Sequence, residues 1–356
     1  MRKIFILIFL TTHILSFANN LKDTLFVTES FCFKVKGGLK LEGTLTLPEK
    51  FTDSTKMAIL VTPPVSMGQD YEGMFLSMAE RLGKRGIATF RFNNRAFTDA
   101  TLVAANEKIT MHDHADDLHD AINAIKKDKR FSNNPIGLIG HSEGGSSSII
   151  EASRNKDVDF LVTLSTCGID GADFCYWQST LYFSCPNMFP SNVRNHVVKD
   201  IYERIQIVKN LNDSTEIDTA LRRQINESGV RAGGKYTDEQ IEKNLREWII
   251  PRVLAFVKYT PETYLSQITC PVFAGHGMTD GMVEWKTNLD GIEKAFIKSG
   301  KSNYKIVAFQ DTDHSFLHSQ ITIPFFVSQS HKKGYKPVFV EKNWDKIADW
   351  LINNYK

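Results

Sequence analysis

A serine in a glycine-rich segment is the first residue of this chain whose surroundings suit a nucleophile. Ser142 lies within Gly140-His141-Ser142-Glu143-Gly144, which fits the pattern G-x-S-x-G. An apolar segment precedes the motif and a helical pattern follows it, so Ser142 would occupy a sharp turn between a strand and a helix. The motif by itself also permits a structural turn with an incidental hydroxyl. The strand and the helix on either side favour the nucleophile.

A serine hydroxyl is a weak nucleophile, so it needs a base that a third group orients. Asp280 follows the strand pattern PVFAG, and His314 follows the strand pattern YKIVAF. Ligands collect beyond the carboxyl ends of the strands in open α/β sheets. Two successive strand ends therefore present an acid and then an imidazole. This is also the chain order of acid and histidine in hydrolases with a G-x-S-x-G serine.

The competing histidines and acids fit these roles less well. His276 lies only four residues before Asp280 and is interpreted as a loop residue. His318 and His331 lie past the strand end, and Asp290 lies on a predicted helix surface. Asp311 and Asp313 flank the candidate base and could tune it.

The segments around these residues alternate between strand and helix patterns. Amphipathic helical patterns separate compact apolar runs, which is typical of a parallel, doubly wound sheet. A hairpin is predicted over 24–47, with a turn at Lys36-Gly37-Gly38, and an amphipathic helix closes the chain. The predicted buried strands are 57–64, 87–92, 136–139, 159–165, 270–275 and 304–309.

The alternation stops after Cys167. Residues 168–190 are rich in aromatic and small residues, and 191–258 carry charged helical patterns. Pro251 is expected to bend or end the third of these helices. We therefore predict a helical insertion over 168–266 that separates two parts of one sheet domain, 19–167 and 267–356.

Residues 1–18 are typical of a secretory signal peptide. Arg2 and Lys3 precede an apolar run, and Ser16-Phe17-Ala18 offers small residues at the two positions that a signal peptidase recognises. The alternative is a retained anchor, but the run is shorter and more polar than a span of ~20 apolar residues. We predict cleavage after about Ala18, export to the periplasm or the medium, and no stable membrane insertion afterwards.

The composition is that of an ordinary globular protein. The 356 residues include 43 basic and 41 acidic side chains, so loss of Arg2 and Lys3 would leave the mature chain with a net charge of zero. The sequence contains no block of basic residues, so we do not expect it to bind nucleic acid. An exported chain can form disulfides, but five cysteines leave at least one unpaired or paired outside the chain. Cys175 and Cys185, close together in an irregular region, are the best candidate pair.

The chain resembles the α/β-hydrolase superfamily, and more narrowly bacterial carboxylesterases related to serine aminopeptidases and the prolyl oligopeptidase group. The resemblance rests on residues 136–145, on PVFAGHGMTDGMV with Asn288-Leu289 after it, on the His314 loop and on the closing IADWL. It implies an α/β-hydrolase fold with a helical lid. It also implies a triad with Ser142 as nucleophile, Asp280 as orienting acid and His314 as general base.

The resemblance further implies two backbone donors for an oxyanion. One is the N–H of Glu143, whose side chain is interpreted as structural. The second is expected in the loop PPVSMGQD, at Ser66, with Val65 or Met67 as alternatives. This loop replaces a glycine-rich run with two prolines, which have no N–H to donate. The turn RFNNRAFTD also departs from the family pattern. The resemblance therefore predicts the type of reaction more closely than it predicts the shape of the pocket.

No cofactor or metal is expected. The chain has no CxxC motif for zinc, and HDHADDLHD at 112–120 is interpreted as a solvated helix start, because similar hydrolases carry an acidic segment there without a metal. These observations together predict a serine hydrolase that cleaves a small-molecule carboxylic ester through an acyl-enzyme. The alternatives are a peptidase or amidase that acts on short peptides, and a non-catalytic binding protein on the same fold. The oligomeric state stays open.

Overall fold

The computed structural model describes residues 25–98, 108–183, 191–320, 322 and 338–353. Within these ranges eight strands form one sheet in the order β1-β2-β4-β3-β5-β6-β7-β8. The predicted signal peptide lies outside the described residues. The strands are β1 Phe26–Lys34, β2 Lys40–Pro48, β3 Met57–Val61, β4 Ala88–Phe92, β5 Ile136–His141, β6 Phe160–Leu164, β7 Val272–Gly277 and β8 Tyr304–Phe309.

The sheet is parallel except at one edge. The hairpin β1–β2 and the pairing of β2 with β4 are antiparallel, whereas β4, β3, β5, β6, β7 and β8 pair in parallel. Parallel strands need crossover connections, and helices supply them here. The helices are α1 Met74–Lys84, α2 Arg95–Thr98, α3 Met111–Lys127, α4 Glu143–Arg154, α5 Gly171–Phe183, α6 Ser191–Asn210, α7 Ser214–Arg231, α8 Asp238–Arg246, α9 Pro251–Val257, α10 Pro261–Leu265, α11 Trp285–Lys298 and α12 Glu341–Asn353.

Helices cover both faces of the sheet, which explains why its central strands are apolar throughout. In β3, Ile59 packs into the core that α3, α4 and α11 complete, while Leu60 points to the opposite face, toward α1 and α12. Successive side chains of β3 point to opposite faces of the sheet, and because helices cover both faces, all five are buried. This architecture confirms the predicted mostly parallel, doubly wound α/β fold.

Among the residues that the structure describes between β6 and β7 there are six helices, α5 to α10. Several of them share a hydrophobic core of their own, in which Ile205, Leu221 and Leu245 are buried. The helix predicted around Pro251 is two helices: α8 ends at Arg246, and Pro251 is the first residue of α9. Proline suits that position because its missing N–H would have no partner in the first helical turn. The boundaries 168–266 stay a prediction.

The end of the chain packs against its first half. Helix α12 lies beside α1, where the carboxylate of Asp345 accepts hydrogen bonds from Arg81 (2.8 Å) and Arg85 (2.9 Å). Trp344 and Leu351 of α12 are fully buried in the core on this face. The sheet domain is therefore built from two stretches of chain that flank the helical insertion.

Candidate active site

Ser142 lies at the turn between β5 and α4, with a backbone that few side chains adopt. Its φ is 54° and its ψ is −128°, whereas β5 ends at His141 and α4 begins at Glu143. The turn is closely packed: a Cβ atom on Gly144 would clash with the carbonyl oxygens of Val61 and Thr62. Small residues therefore allow the strain that presents the Ser142 hydroxyl at the end of the strand.

Asp280 and His314 are in contact, as their positions past β7 and β8 suggest. Nδ1 of His314 lies 2.8 Å from Oδ2 of Asp280. The other carboxylate oxygen accepts the backbone N–H groups of Met282 and Val283, each at 2.8 Å. Burial opposes the ionisation of Asp280, but the His314 ring and these hydrogen bonds outweigh it, so the pKa of Asp280 lies below its ordinary value.

An ionised Asp280 determines which nitrogen of His314 is free. A carboxylate only accepts hydrogen bonds, so Nδ1 of His314 carries the proton and Nε2 keeps its lone pair. The His314 ring lies beside the turn that holds Ser142, with its centroid 4.7 Å from that of the His141 ring. Within the described part of the chain, no hydrogen bond joins the Ser142 hydroxyl to His314. Such contacts are often long in enzymes without substrate.

His141, the residue before the nucleophile, holds the backbone of His314. Its Nε2 donates to the His314 carbonyl oxygen at 2.7 Å, so its Nδ1 accepts the hydroxyl of Tyr71 at 3.0 Å. Burial lowers the pKa of His141 to about 3, so the ring is neutral at pH 7. Tyr71 itself lies in a short 3₁₀ helix, Tyr71–Gly73, with a positive φ of 47°. A three-residue network thus fixes the candidate base next to the candidate nucleophile.

A cavity of about 270 Å³ opens beside Ser142. Its wall combines residues from the sheet domain with residues from the helical insertion, and most of the side chains are apolar. Burial raises the pKa of the Cys175 thiol, in the cavity wall, to about 12, so this sulfur stays protonated. The apolar lining consists mainly of Phe174, Val253, Phe256, Met282 and Val283.

An ion pair interrupts this apolar wall. Arg252 of α9 donates from Nε to both carboxylate oxygens of Glu143, at 3.2 and 3.0 Å, and from Nη2 to Oε2. Both residues line the cavity together with Ser142. The Glu143 side chain, which the sequence suggested to be structural, therefore connects the nucleophile turn to the insertion. The sequence analysis did not single out Arg252, since no motif marks it.

The loop expected to supply the second oxyanion donor has a defined hydrogen-bond pattern. The N–H groups of Val65 and Met67 donate to the carbonyls of Pro63 and Val65, at 2.8 and 2.6 Å. The N–H of Ser66 makes no such bond within the described residues, so it is the most available of the three candidates. Ser66 is exposed and does not line the cavity. Its role, like that of the Glu143 N–H, stays a prediction.

His276, interpreted as a loop residue, is a strand residue, so that interpretation was wrong. It belongs to β7 and is fully buried, and its Nε2 lies 3.0 Å from both the backbone nitrogen and the carbonyl oxygen of Thr166. Burial lowers its pKa to about 4. Asp290 lies in α11 and pairs with Lys286, as expected for a helix surface.

The other predicted clusters have ordinary partners. In the described ranges no group of three or more histidine, cysteine or acidic side chains could hold a metal ion. The 112–120 segment is only partly solvated, contrary to its interpretation as a solvated helix start: His114 and Asp117 are buried. Its carboxylates bind neighbouring groups, Asp117 to Arg95 and Asp116 to Arg154. The four cysteines that the structure describes are not bonded to one another. Cys185 lies outside the described residues, so its pairing with Cys175 stays a prediction.

Comparisons with known proteins agree with this fold. The model of the Dienelactone hydrolase family matches residues 254–355. No curated protein matches the chain in sequence. Among solved structures, Est1E from Butyrivibrio proteoclasticus is 14% identical with a TM-score of 0.51, and covers 91% of this chain and 98% of its own.

Two further structures are similar over nearly the whole chain. An esterase from Pyrococcus furiosus is 15% identical with a TM-score of 0.53, over 93% of this chain and 92% of its own. A dienelactone hydrolase from Anabaena variabilis is 11% identical with a TM-score of 0.51, over 92% of this chain and 97% of its own. At these identities the likeness is one of fold. The resemblance to the α/β-hydrolase superfamily noted in the sequence is confirmed at the level of the fold, and over residues 254–355 by the match to the Dienelactone hydrolase family.

Proposed function

We propose that the protein is a serine hydrolase that cleaves carboxylic esters. The observation that carries the proposal is the buried hydrogen bond between Asp280 and His314, beside a serine held at φ 54°. A structural turn has no need of an oriented imidazole, whereas a serine nucleophile requires one. The likeness to structures named as esterases and as a dienelactone hydrolase supports ester chemistry, because a lactone is a cyclic ester.

The geometry supports a two-step reaction. The Ser142 hydroxyl attacks the ester carbonyl while Nε2 of His314 takes its proton, and Asp280 stabilises the resulting imidazolium. Collapse of the tetrahedral intermediate breaks the bond to the alcohol, which leaves with the proton from His314. Water then attacks the acyl-enzyme while His314 takes a proton from it. The second tetrahedral intermediate collapses by breaking the bond between the acyl carbon and Oγ of Ser142, which takes the proton back from His314 as the carboxylic acid leaves. No cofactor enters these steps.

The oxyanion of each tetrahedral intermediate needs donors that are already in place. We assign the N–H of Glu143, the first residue of α4, and the N–H of Ser66 to this role. The start of α4 adds the positive end of the helix dipole at the same point. The apolar cavity beside Ser142 would receive the acyl or the alcohol group. Its apolar lining favours an uncharged group there over the charged terminus of a peptide.

Hydrolysis of a short p-nitrophenyl ester tests the proposal. We expect the mature protein to exceed Ser142→Ala by at least about 10³-fold in kcat/KM. A fluorophosphonate probe should label Ser142, and Asp280→Asn and His314→Ala should slow the labelling. Activity confined to aminoacyl anilides would favour the peptidase. If the protein and Ser142→Ala are equally inactive and unlabelled, the binding-protein alternative replaces the enzyme.

A further inference from the structure

The ion pair between Glu143 and Arg252 brings a charge from the helical insertion to the nucleophile turn. The Glu143 side chain is only 9% exposed, and that of Arg252 is 31% exposed. Within the described residues, no other basic side chain lies at ion-pair distance from Glu143. A carboxylate removed from water in this way needs a partner, because burial of an unpaired charge is costly.

The position of Glu143 makes its charge important for the reaction proposed above. It directly follows Ser142, and its own backbone N–H is the first donor assigned to the oxyanion. An unpaired carboxylate beside that site would repel the negative charge that develops in the transition state, and a site shielded from water strengthens the repulsion. The proposed chemistry therefore needs the negative charge of the Glu143 side chain to be neutralised.

We propose that Arg252 is a positioning residue that neutralises Glu143 and holds it in place beside the oxyanion. This inference rests on the proposed function. Nε and Nη2 of one planar guanidinium together hold both carboxylate oxygens of Glu143, a fork-shaped geometry that the ammonium group of a lysine does not provide. Because Glu143 is the first residue of α4, a fixed side chain also restrains the backbone N–H next to Ser142.

The insertion holds Arg252 rigidly enough for this role. Arg252 follows Pro251, which begins α9, so its backbone belongs to a helix rather than to a loop. Phe256, one turn further along α9, packs edge-on against Phe174 of α5, with 5.4 Å between the ring centroids. The helical insertion therefore completes the electrostatics of the site as well as the wall of the cavity.

A charge role and a purely structural role give different mutational patterns. If Arg252 only ties the insertion to the sheet domain, its removal and removal of both partners should be equally harmful. If it neutralises Glu143, Arg252→Met should be the worst variant, because it leaves a buried carboxylate unpaired. The double variant Glu143→Gln/Arg252→Met should then be faster than Arg252→Met alone.

The experiment compares four proteins with the wild type: Arg252→Met, Arg252→Lys, Glu143→Gln/Arg252→Met, and Arg222→Met. Arg222, in α7 of the same insertion, pairs with Glu242 on the surface, so its variant is a matched control for loss of an arginine ion pair. Ester turnover and the rate of fluorophosphonate labelling are measured for each protein, and thermal unfolding monitors the fold.

We expect Arg252→Met to lower kcat and the labelling rate by about tenfold to a hundredfold, with a smaller change in KM. The double variant should recover at least about half of that loss on a logarithmic scale, and Arg252→Lys should fall between. Arg222→Met should match the wild type. A double variant as slow as Arg252→Met, with the same melting temperature, would overturn the inference. A wild type no faster than Ser142→Ala, and unlabelled, would instead overturn the proposed function and this inference with it.

Discussion

The protonation states of three buried side chains, Asp280, His141 and His276, limit what the candidate site can do at neutral pH. Asp280 stays ionised because His314 and two backbone N–H groups outweigh the cost of its burial. His141 and His276 stay neutral because burial lowers their pKa values to about 3 and about 4. His314, whose Nδ1 contacts Asp280, is therefore the imidazole that we propose as the base for Ser142.

The buried histidines also predict how stability depends on pH. Burial, with a smaller effect from Arg95, lowers the pKa of His114 to about 3. A histidine whose pKa is lower in the folded state than in the unfolded state stabilises the fold above pH 6.5, and this contribution is lost as the pH falls toward 3. Each such group adds a slope of up to about 1.4 kcal/mol per pH unit in this window.

Urea unfolding at pH 7, 6 and 5 measures this slope. We expect the free energy of unfolding to decrease as the pH is lowered from 7 to 5. His114→Leu should make this dependence on pH less steep, because it removes one buried titrating group. The ring nitrogens of His114 have no partner among the described residues. His119→Gln, at an exposed histidine that pairs with Glu151, is the control and should change the slope less. A slope that is the same in His114→Leu and in the wild type would contradict the prediction.

At the scale of the elements, the turn between β5 and α4 depends on how closely its neighbours approach. Alanine is normally the better residue inside a helix, by about 1 kcal/mol over glycine. In α4, however, a Cβ atom on Gly145 would overlap the side chain of Thr166, the second residue after β6. The close approach of α4 to this strand end outweighs helix propensity.

Gly145→Ala should therefore destabilise the protein by about 1–3 kcal/mol and displace Ser142, since overpacking forces the backbone to shift. Gly234→Ala, at an exposed glycine with open space around it, is the matched control and should have little effect. Chemical denaturation and fluorophosphonate labelling measure the two effects. A Gly145→Ala protein with wild-type stability and labelling would show that α4 has room to move.

The strand patterns in the sequence predicted the positions of two residues of the candidate site, Asp280 and His314. Asp280 and His314 follow different strands, and they meet because the carboxyl ends of parallel strands lie at one edge of a sheet. His276 was misplaced because the predicted strand PVFAG ended at Gly275, whereas β7 continues to Gly277 by pairing with β8 as far as Phe309. A glycine signals a turn only where no neighbouring strand supplies a partner.

Arg252 could not be found in this way. It lies 109 residues from Glu143 along the chain, within an insertion whose helical patterns show which faces are apolar. Such patterns do not show where the insertion packs on the sheet. Contacts between the hydrophobic core of the insertion and the cores of the sheet domain depend on that packing. The ion pair between Glu143 and Arg252 therefore cannot be predicted from the sequence patterns and is found only in the structure.

At the scale of the whole molecule, the insertion and the sheet domain contribute jointly to one cavity. Phe174, Val253 and Phe256 come from the insertion, whereas Met282 and Val283 follow β7. The helices of the described residues include none that is both long and apolar enough to cross a membrane. We propose that the chain acts after export.

The export proposal predicts a mature chain that begins after about Ala18. Expression with the native leader in a bacterial host should yield a protein outside the cytoplasm, with an N-terminus near Asn19 by mass spectrometry. Ala18→Arg should block cleavage, because the peptidase requires a small residue there. An intact Met1 on the active protein would contradict the prediction.

The division of the sheet domain by the insertion has a consequence for the order of synthesis. A ribosome completes the strand that precedes Ser142 long before it reaches β7 and β8, which position Asp280 and His314. Helix α12, which completes the core beside α1, emerges later than both of these strands. A nascent or prematurely terminated chain therefore carries the nucleophile without its base. Hydrolysis through the proposed triad would thus begin only after the ribosome has passed β8 and the His314 loop.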